Sequence, residues 1–494
     1  MAEIQKQSIY STIIIYLGFL LGAFNVIILF PKVFTEEQVG LIRTLLDASL
    51  FLGTLGLFAS NIVSYKFHPF YKNYLPDQKN DLQGLTFLVA IVGLALILLL
   101  IFLGKPLIIR KFSANASLFV HYYYWLIPLT IFYSLMELWF AYSVNNLKSV
   151  FPNFIKEFAA RLIITIFTLL FVVHLINFDQ FITIYSALYL ILFVCLFFYV
   201  RYFTSIKFVF SISKVTRRLW KKIATYQSFV MGGLVFYIIS QYIDTFFISG
   251  LVGLSGTAVF SIATFIATLI QVPQRAMTNI SIPIVSKAWK DKNLAKIQDI
   301  YAKSSINLLI AALVLFVLIW SSIDNLFSIL PPKYNEGKYV LFILCIAKVI
   351  DLGTGLNNII ILTSNKWRFD FITGVILIFC ILFLNYFFVK AYGIIGSAYS
   401  NLISFTIYNL IRYLFLWYKF KFQPFTKYTL FIILISVGIY FTQLLIPYCY
   451  NWFIDSAIRS SLIIFLFFIV LYQFKVSDDI QFILKKNIKK YIIK

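Results

Sequence analysis

The sequence predicts an all-α integral membrane protein of about fourteen transmembrane helices, and three observations carry that expectation. Hydrophobic residues make up 61% of 494 positions and charged residues 12%, with a mean hydropathy of +0.90. A soluble domain carries about 25% charged residues. Apolar runs of about 20 residues recur from end to end, each long enough at ~1.5 Å per residue to cross roughly 30 Å of hydrocarbon. Lys and Arg gather in the short stretches between the runs, which leaves no room for a separate soluble domain.

The elements follow in order. The opening MAEIQKQSIYSTIIIYLGFLLGAFNVIILF is too long for a signal-peptide core and lacks a convincing small-residue cleavage site. It is read as a retained first helix at about 8–30. Helices two to six follow at about 39–65, 83–104, 117–145, 150–175 and 180–206. The basic stretch KFVFSISKVTRRLWKK then ends at Lys222 and reads as a hinge. Helices seven to twelve fall at about 222–250, 254–286, 300–323, 338–363, 368–390 and 394–418, and two more at about 427–447 and 452–474. The expected domains are an N-lobe over 1–206, a cytoplasmic basic linker over 207–222, a C-lobe over 223–420, and a segment over 421–494 holding the last two helices and a basic cytoplasmic tail. A faint echo joins FASNIVSYKF, closing helix two, to AMTNISIPIV, closing helix eight. With six helices on each side of the hinge, it suggests two bundles in parallel repeat.

Positive loops stay on the cytoplasmic side during insertion. With the N-terminus inside, about 30 of the 42 Lys and Arg fall on the cytoplasmic side and about 8 outside. KVTRRLWKK, SKAWKDKNLAK and the tail ending KKNIKKYIIK share the inner side, while Lys105, Arg110 and Lys111 run against the rule. Both termini are therefore expected in the cytoplasm. The net charge of +23 is membrane topology rather than a nucleic-acid footprint, because it forms no continuous basic face.

Several chemistries lack their motifs. No GxxxxGK[ST] loop is present, which excludes an ATP-driven pump within this chain, and there is no HExxH or GxSxG. Cys195, Cys345, Cys380 and Cys449 lie far apart without metal-ligand spacing and read as small apolar residues. His68, His121 and His174 are scattered. No metal site and no cofactor are expected. The outer loops are too short to house the acceptor and carboxylates of a membrane glycosyltransferase or polymerase, so an enzyme is disfavoured.

Ionisable side chains within a bilayer cost about 2.5–3.5 kcal/mol each on insertion scales and are expected to face a bundle interior or a wet cavity. The candidates are Arg43, Asp47, Glu137 and Arg161 in the first half, and Asp244, Arg275, Lys348, Asp351 and Arg412 in the second. Arg43 with Asp47, and Lys348 with Asp351, are spaced to pair on one helix face. Arg161 could pair with Glu157 and snorkel to the surface, as could Arg412. Pro273 and Pro283 around Arg275 suggest a bent helix. Arginines stay charged when partly dehydrated and suit an anionic substrate, so Arg43, Arg161, Arg275, Lys348 and Arg412 are the expected cavity cations. Asp47, Glu137, Asp244 and Asp351 are the expected sites of coupling to H⁺ or Na⁺.

KAYGIIGSAYSNLIS (Lys390–Ser404) resembles the junction of helices eleven and twelve in polysaccharide flippases of the multidrug/oligosaccharidyl-lipid/polysaccharide exporter superfamily. TEEQVGLIRTLLDASLF (Thr35–Phe51) resembles the segment that opens helix two there. The likeness in layout covers nearly the whole chain. It implies a MATE-like fold of two six-helix lobes around a cavity opening alternately to each side, with two extra C-terminal helices. It further implies a bacterial inner-membrane flippase that moves an undecaprenyl-diphosphate-linked oligosaccharide outward for O-antigen or capsule assembly. Membrane lipid, a polymerase and glycosyltransferases are the implied partners, and a monomer is expected. A cation-coupled drug exporter or a lipid II flippase are the competing carriers.

Overall fold

The computed structural model describes residues 2–76, 79–146, 148–203, 209–447, 449 and 451–476, and every regular element among them is a helix. The expected basic tail after 476, the last residues of the expected sixth helix at 204–206 and the first of the expected linker at 207–208 lie outside the described residues.

Each of the fourteen predicted spans has a counterpart. In chain order, α1 runs from Ala2–Ala23 through a π-helical turn, Phe24–Leu29, to Val33. Then come α2 (Glu36–Gly56), α3 (Leu82–Phe112), α4 (Leu126–Asn145) and α5, whose segments Val150–Asn153 and Ala160–Val172 flank the π turn Phe154–Ala159. Next are α6 (Phe178–Phe203), α7 (Lys214–Leu251) and α8, in which Leu254–Ala267 and Val272–Lys290 flank the 3₁₀ turn Thr268–Gln271. The rest are α9 (Leu294–Ser321), α10 (Gly337–Gly353 and Asn357–Thr363, bent by 46°), α11 (Arg368–Tyr392), α12 (Ile394–Phe420), α13 (Lys427–Gln443) and α14 (Trp452–Phe474).

The chain divides into two compact units between Ala258 and Val259. In the first, α2 packs against α3, α4 and α7, α1 against α5, and α4 against α6. Leu188, Leu192, Leu196 and Val200 make a buried stripe at four-residue spacing on α6 that meets Met136 and Trp139 of α4. In the second, α12 packs against α10 and α11, and α9 against α8, α10, α13 and α14. Ile306, Leu309, Ile310, Leu313 and Val317 of α9 close on Ile432 and Ile439 of α13 and Ile463 and Phe467 of α14.

The outward faces are apolar. On α3, Leu88, Val92, Leu96, Leu99, Leu103 and Leu107 are exposed, and only 28% of its most apolar window is buried. Water penalises such a surface at about 25 cal/mol per Å², whereas lipid chains solvate it. The exposed faces and the helix lengths together make this a multi-pass membrane protein.

Several expected boundaries differ. Helix two does not run to 65, because Phe58 and Ala59 adopt left-handed φ values of 46° and 57° and separate α2 from a helix at Ser60–Tyr74. The break is tied by Gln227, whose Nε2 donates to the Phe58 carbonyl at 2.7 Å. The echo between FASNIV and AMTNIS therefore does not carry into local structure, since the second lies inside the helix Val272–Lys290. The basic linker is helical from Lys214, where Ser213 accepts from the Thr216 amide at 3.1 Å and starts 38 unbroken residues of α7. Lys105, Arg110 and Lys111 belong to the end of α3 rather than to a loop. Where a bent α8 is expected, the helix passes through the 3₁₀ turn Thr268–Gln271 just before Pro273, whose ring nitrogen has no hydrogen to donate.

Candidate functional site

In the first unit, Thr35 and Gln38 form a reciprocal capping box at the start of α2, with Glu36 and Glu37 in the first turn. Gly40 follows, so close to the Leu254 carbonyl that a Cβ would collide with it. This approach fixes the face of α2 that carries the next two charges. Arg43 Nε donates to Asp47 Oδ2 at 2.8 Å, the expected pair, and Thr245 of α7 donates to the same oxygen at 2.6 Å. Asp47 is 1% exposed. The Arg43 side chain is 30% exposed, and its terminal nitrogens make no hydrogen bond among the described residues. Asp244, one position before Thr245, is half-buried.

Glu137 of α4 is buried and pairs with Lys156 of α5 at 2.5 Å, and the same ammonium lies 4.9 Å from the Phe140 ring centroid. Arg161 pairs with Glu157 at 2.9 Å and also donates to the Glu157 carbonyl. Gly18 and Gly22 let α1 lie directly against it, since a Cβ on Gly22 would stand 2.7 Å from Arg161 Nε. Asn25, in the π turn of α1, donates to the Arg161 carbonyl at 3.0 Å and accepts from Thr165 at 2.8 Å. The π turns of α1 and α5 thus flank one polar contact, and π turns inside helices are frequent at functional sites.

In the second unit, Lys348 and Asp351, expected to pair, each meet a residue of α12. Asp351 takes a hydrogen bond from Asn409 of α12 at 2.9 Å, and the Lys348 ammonium lies 5.1 Å from the Phe405 ring centroid. Asn409 Oδ1 in turn accepts from Thr354 and Asn357, each at 2.9 Å. These groups surround the break in α10, where Gly355 has φ 69° and a Cβ would meet Ser304 Oγ and the Ser305 amide nitrogen at 2.9 Å. A helix break frees backbone groups that must find other partners inside a membrane. Ser305 supplies one by donating to the Gly353 carbonyl at 2.5 Å.

Arg412 does not snorkel. Its side chain is 2% exposed, paired with Asp370 of α11, donating to Thr373 at 3.0 Å and stacked 3.9 Å from the Tyr408 centroid. Burial of this kind is tolerated only because the charge is paired. Arg275 is exposed and makes no hydrogen bond or ion pair among the described residues. Of the five expected cavity cations, Arg43, Arg161 and Arg412 thus carry a carboxylate counter-ion, and Arg275 has none among the described residues. Among the coupling candidates, Asp47 and Glu137 are ion-paired and Asp351 is hydrogen-bonded.

Sequence reasoning missed Lys156, Thr245 and Asn409, whose partners sit on other helices. It also missed Asp455 and Arg459 of α14, paired at 2.7 Å, which the four-residue spacing rule could have found. No group of three or more His, Cys, Asp or Glu placed to hold a metal occurs among the described residues.

No family model matches the chain, and no curated protein sequence does. Solved structures share its fold. The lipid II flippase MurJ, in an inward closed conformation, matches with a TM-score of 0.73 and 18% identity over 95% of this chain and 100% of that one. An inward-facing multidrug resistance MATE family transporter of the MOP superfamily matches with a TM-score of 0.60 and 14% identity over 82% of this chain and 94% of that one. A MOP superfamily transporter from Pyrococcus furiosus, described as having a binding pocket of reversed polarity, matches at 0.52 and 14% over 85% and 95%. The fold is therefore MATE-like, as the sequence suggests.

Proposed function

We propose that this chain is an alternating-access flippase that carries a lipid-linked, undecaprenyl-diphosphate saccharide from the cytoplasmic to the outer leaflet of a bacterial inner membrane, for cell-surface polysaccharide assembly. Both termini are cytoplasmic in this reading. The observation that carries it is the breadth of the fold likeness: the match to a flippase of a lipid-linked substrate is closer and covers more of the chain than the match to the multidrug transporters. The residues add a chemical motive. Among the described residues Arg275 has no counter-ion, and the terminal nitrogens of Arg43 make no hydrogen bond. A diphosphate is recognised best by guanidinium groups, which stay charged and bind two oxygens at once.

Coupling to H⁺ or Na⁺ is assigned to Asp47. Its carboxylate holds both Arg43 and the Thr245 hydroxyl, so a proton or Na⁺ arriving there would release the arginine for substrate. Glu137, Asp244 and Asp351 remain candidates for the same role. A polymerase and glycosyltransferases working on the same glycan are the partners this reading implies.

Two other cargoes follow from the fold. Lipid II is favoured by the MurJ likeness, and organic cations by the MATE likeness. Proteoliposomes separate the three. Outward movement of an undecaprenyl-diphosphate oligosaccharide supports the leading reading, movement of lipid II alone supports the second, and uptake of an organic cation without lipid movement supports the third.

A further inference from the structure

A cavity of about 540 Å³ with mixed polar and apolar walls lies wholly within the second unit, where the end of α9 and the start of α10 meet α13 and α14. None of the expected cavity cations or coupling carboxylates lines it. Its volume falls within the roughly 300–1,000 Å³ typical of small-molecule sites. Trp320, Tyr339 and Tyr440 supply aromatic surface, and Asp324, Asn325 and Gln443 supply planar polar groups.

The charges in the wall are balanced. Lys338 pairs with Asp324 at 2.6 Å, and Arg459 pairs with Asp455 at 2.7 Å. The cavity therefore offers no net charge to a free ion. One side of it is rigid: Arg459 also donates to the Gln443 carbonyl at 2.9 Å, to Gln443 Oε1 at 2.7 Å and to the Ile446 carbonyl at 3.2 Å. Asn325, 2% exposed, donates to Asp455 at 2.6 Å and to Ser456 at 3.0 Å, while its Oδ1 has no partner among the described residues. The Trp320 indole N–H and the Tyr339 and Tyr440 hydroxyls make no hydrogen bond among the described residues. Aromatic side chains of this kind present an apolar face and a polar tip.

The complementary ligand has apolar C–H faces for the rings and a rim of hydroxyls, each able both to donate and to accept. We propose that this cavity is a saccharide-binding site that takes a mono- or disaccharide-sized portion of an uncharged glycan. The inference goes beyond translocation, because the site stands whether or not the chain moves a lipid. Lysine and arginine here hold acids in place and do not reach for phosphate.

The test is saturation-transfer NMR on the full chain in nanodiscs freed of glycoside detergent, with N,N′-diacetylchitobiose, maltose, lactose and methyl α-rhamnoside as probes. At least one probe should show transfer. That signal should weaken at least tenfold in Trp320→Leu and in Tyr339→Ala, and persist in Tyr237→Ala, an exposed tyrosine of the first unit. Tyr339 is 68% exposed, so its replacement leaves the fold intact even if Trp320→Leu disturbs packing. Transfer to a free disaccharide that strengthens when the same disaccharide is attached to a lipid carrier would support the site and identify its source as a lipid-linked glycan. No transfer to any probe, transfer indifferent to both cavity variants, or displacement by inorganic phosphate at equal concentration would each overturn the proposal.

Discussion

Thr245 donates its hydroxyl to the Asp47 carboxylate across 2.6 Å, tying α7 to α2 although 198 positions separate them in sequence. The same oxygen receives Arg43 Nε, so one buried carboxylate organises a cation and a hydroxyl from two helices. Asp47→Ala should lower stability by about 1–3 kcal/mol, below the roughly 3–5 kcal/mol of a fully buried broken pair because Arg43 is partly exposed. Thr245→Val should cost about 1 kcal/mol. Adding Arg43→Leu to Asp47→Ala should recover part of the loss, since no stranded guanidinium remains. Thermal unfolding in nanodiscs reads all three, and a neutral Asp47→Ala would remove the organising role.

Gly40 is a contact that only a hydrogen side chain permits. Gly40→Ala should reduce the yield of folded protein sharply, because the added methyl group meets the Leu254 carbonyl rather than a movable side chain. Gly233→Ala, where a Cβ meets nothing within 4 Å, should be neutral or slightly stabilising through the better helix propensity of alanine. Size-exclusion profiles of the two variants make the comparison, and equal behaviour would contradict the packing described for α2.

Arg412 and Asp370 join α12 to α11 through a guanidinium that is almost wholly buried. Asp370→Ala alone should destabilise by about 3 kcal/mol, because it strands that charge. Arg412→Met together with Asp370→Leu should lose much less, since an apolar pair of similar volume carries no desolvation penalty. A double-mutant cycle on melting temperature measures the coupling, and additive losses would mean that the pair does not act as a unit.

The span pattern was legible because a run of about 20 apolar residues is a one-dimensional signal. What interrupts a span was less so. The 3₁₀ turn in α8 could be anticipated from Pro273, but Phe58 and Ala59 carry no comparable signal for their left-handed backbone, which is anchored by Gln227 from α7. The π turns of α1 and α5 have no composition mark either. Arg43 with Asp47 followed from helical spacing alone. Lys348 and Asp351 obey nearly the same spacing, but the hydrogen bond that Asn409 of α12 gives Asp351 has no mark in that spacing, because it exists only after the helices pack. Thr245, Lys156 and Asn409 were invisible for the same reason: each earns its role from a partner on another helix. Asp455 and Arg459 were within reach of the spacing rule.

Translocation itself is the decisive measurement. Proteoliposomes carrying an undecaprenyl-diphosphate oligosaccharide should show its movement with the wild-type chain. Arg275→Ala should insert equally and melt within about 0.5 kcal/mol of wild type, as expected for an exposed residue without partners among the described residues, yet translocate at least tenfold more slowly. Lys348→Ala should also slow transport. A wild-type chain that moves no saccharide lipid, or an Arg275→Ala chain that moves it at the wild-type rate, would contradict the account.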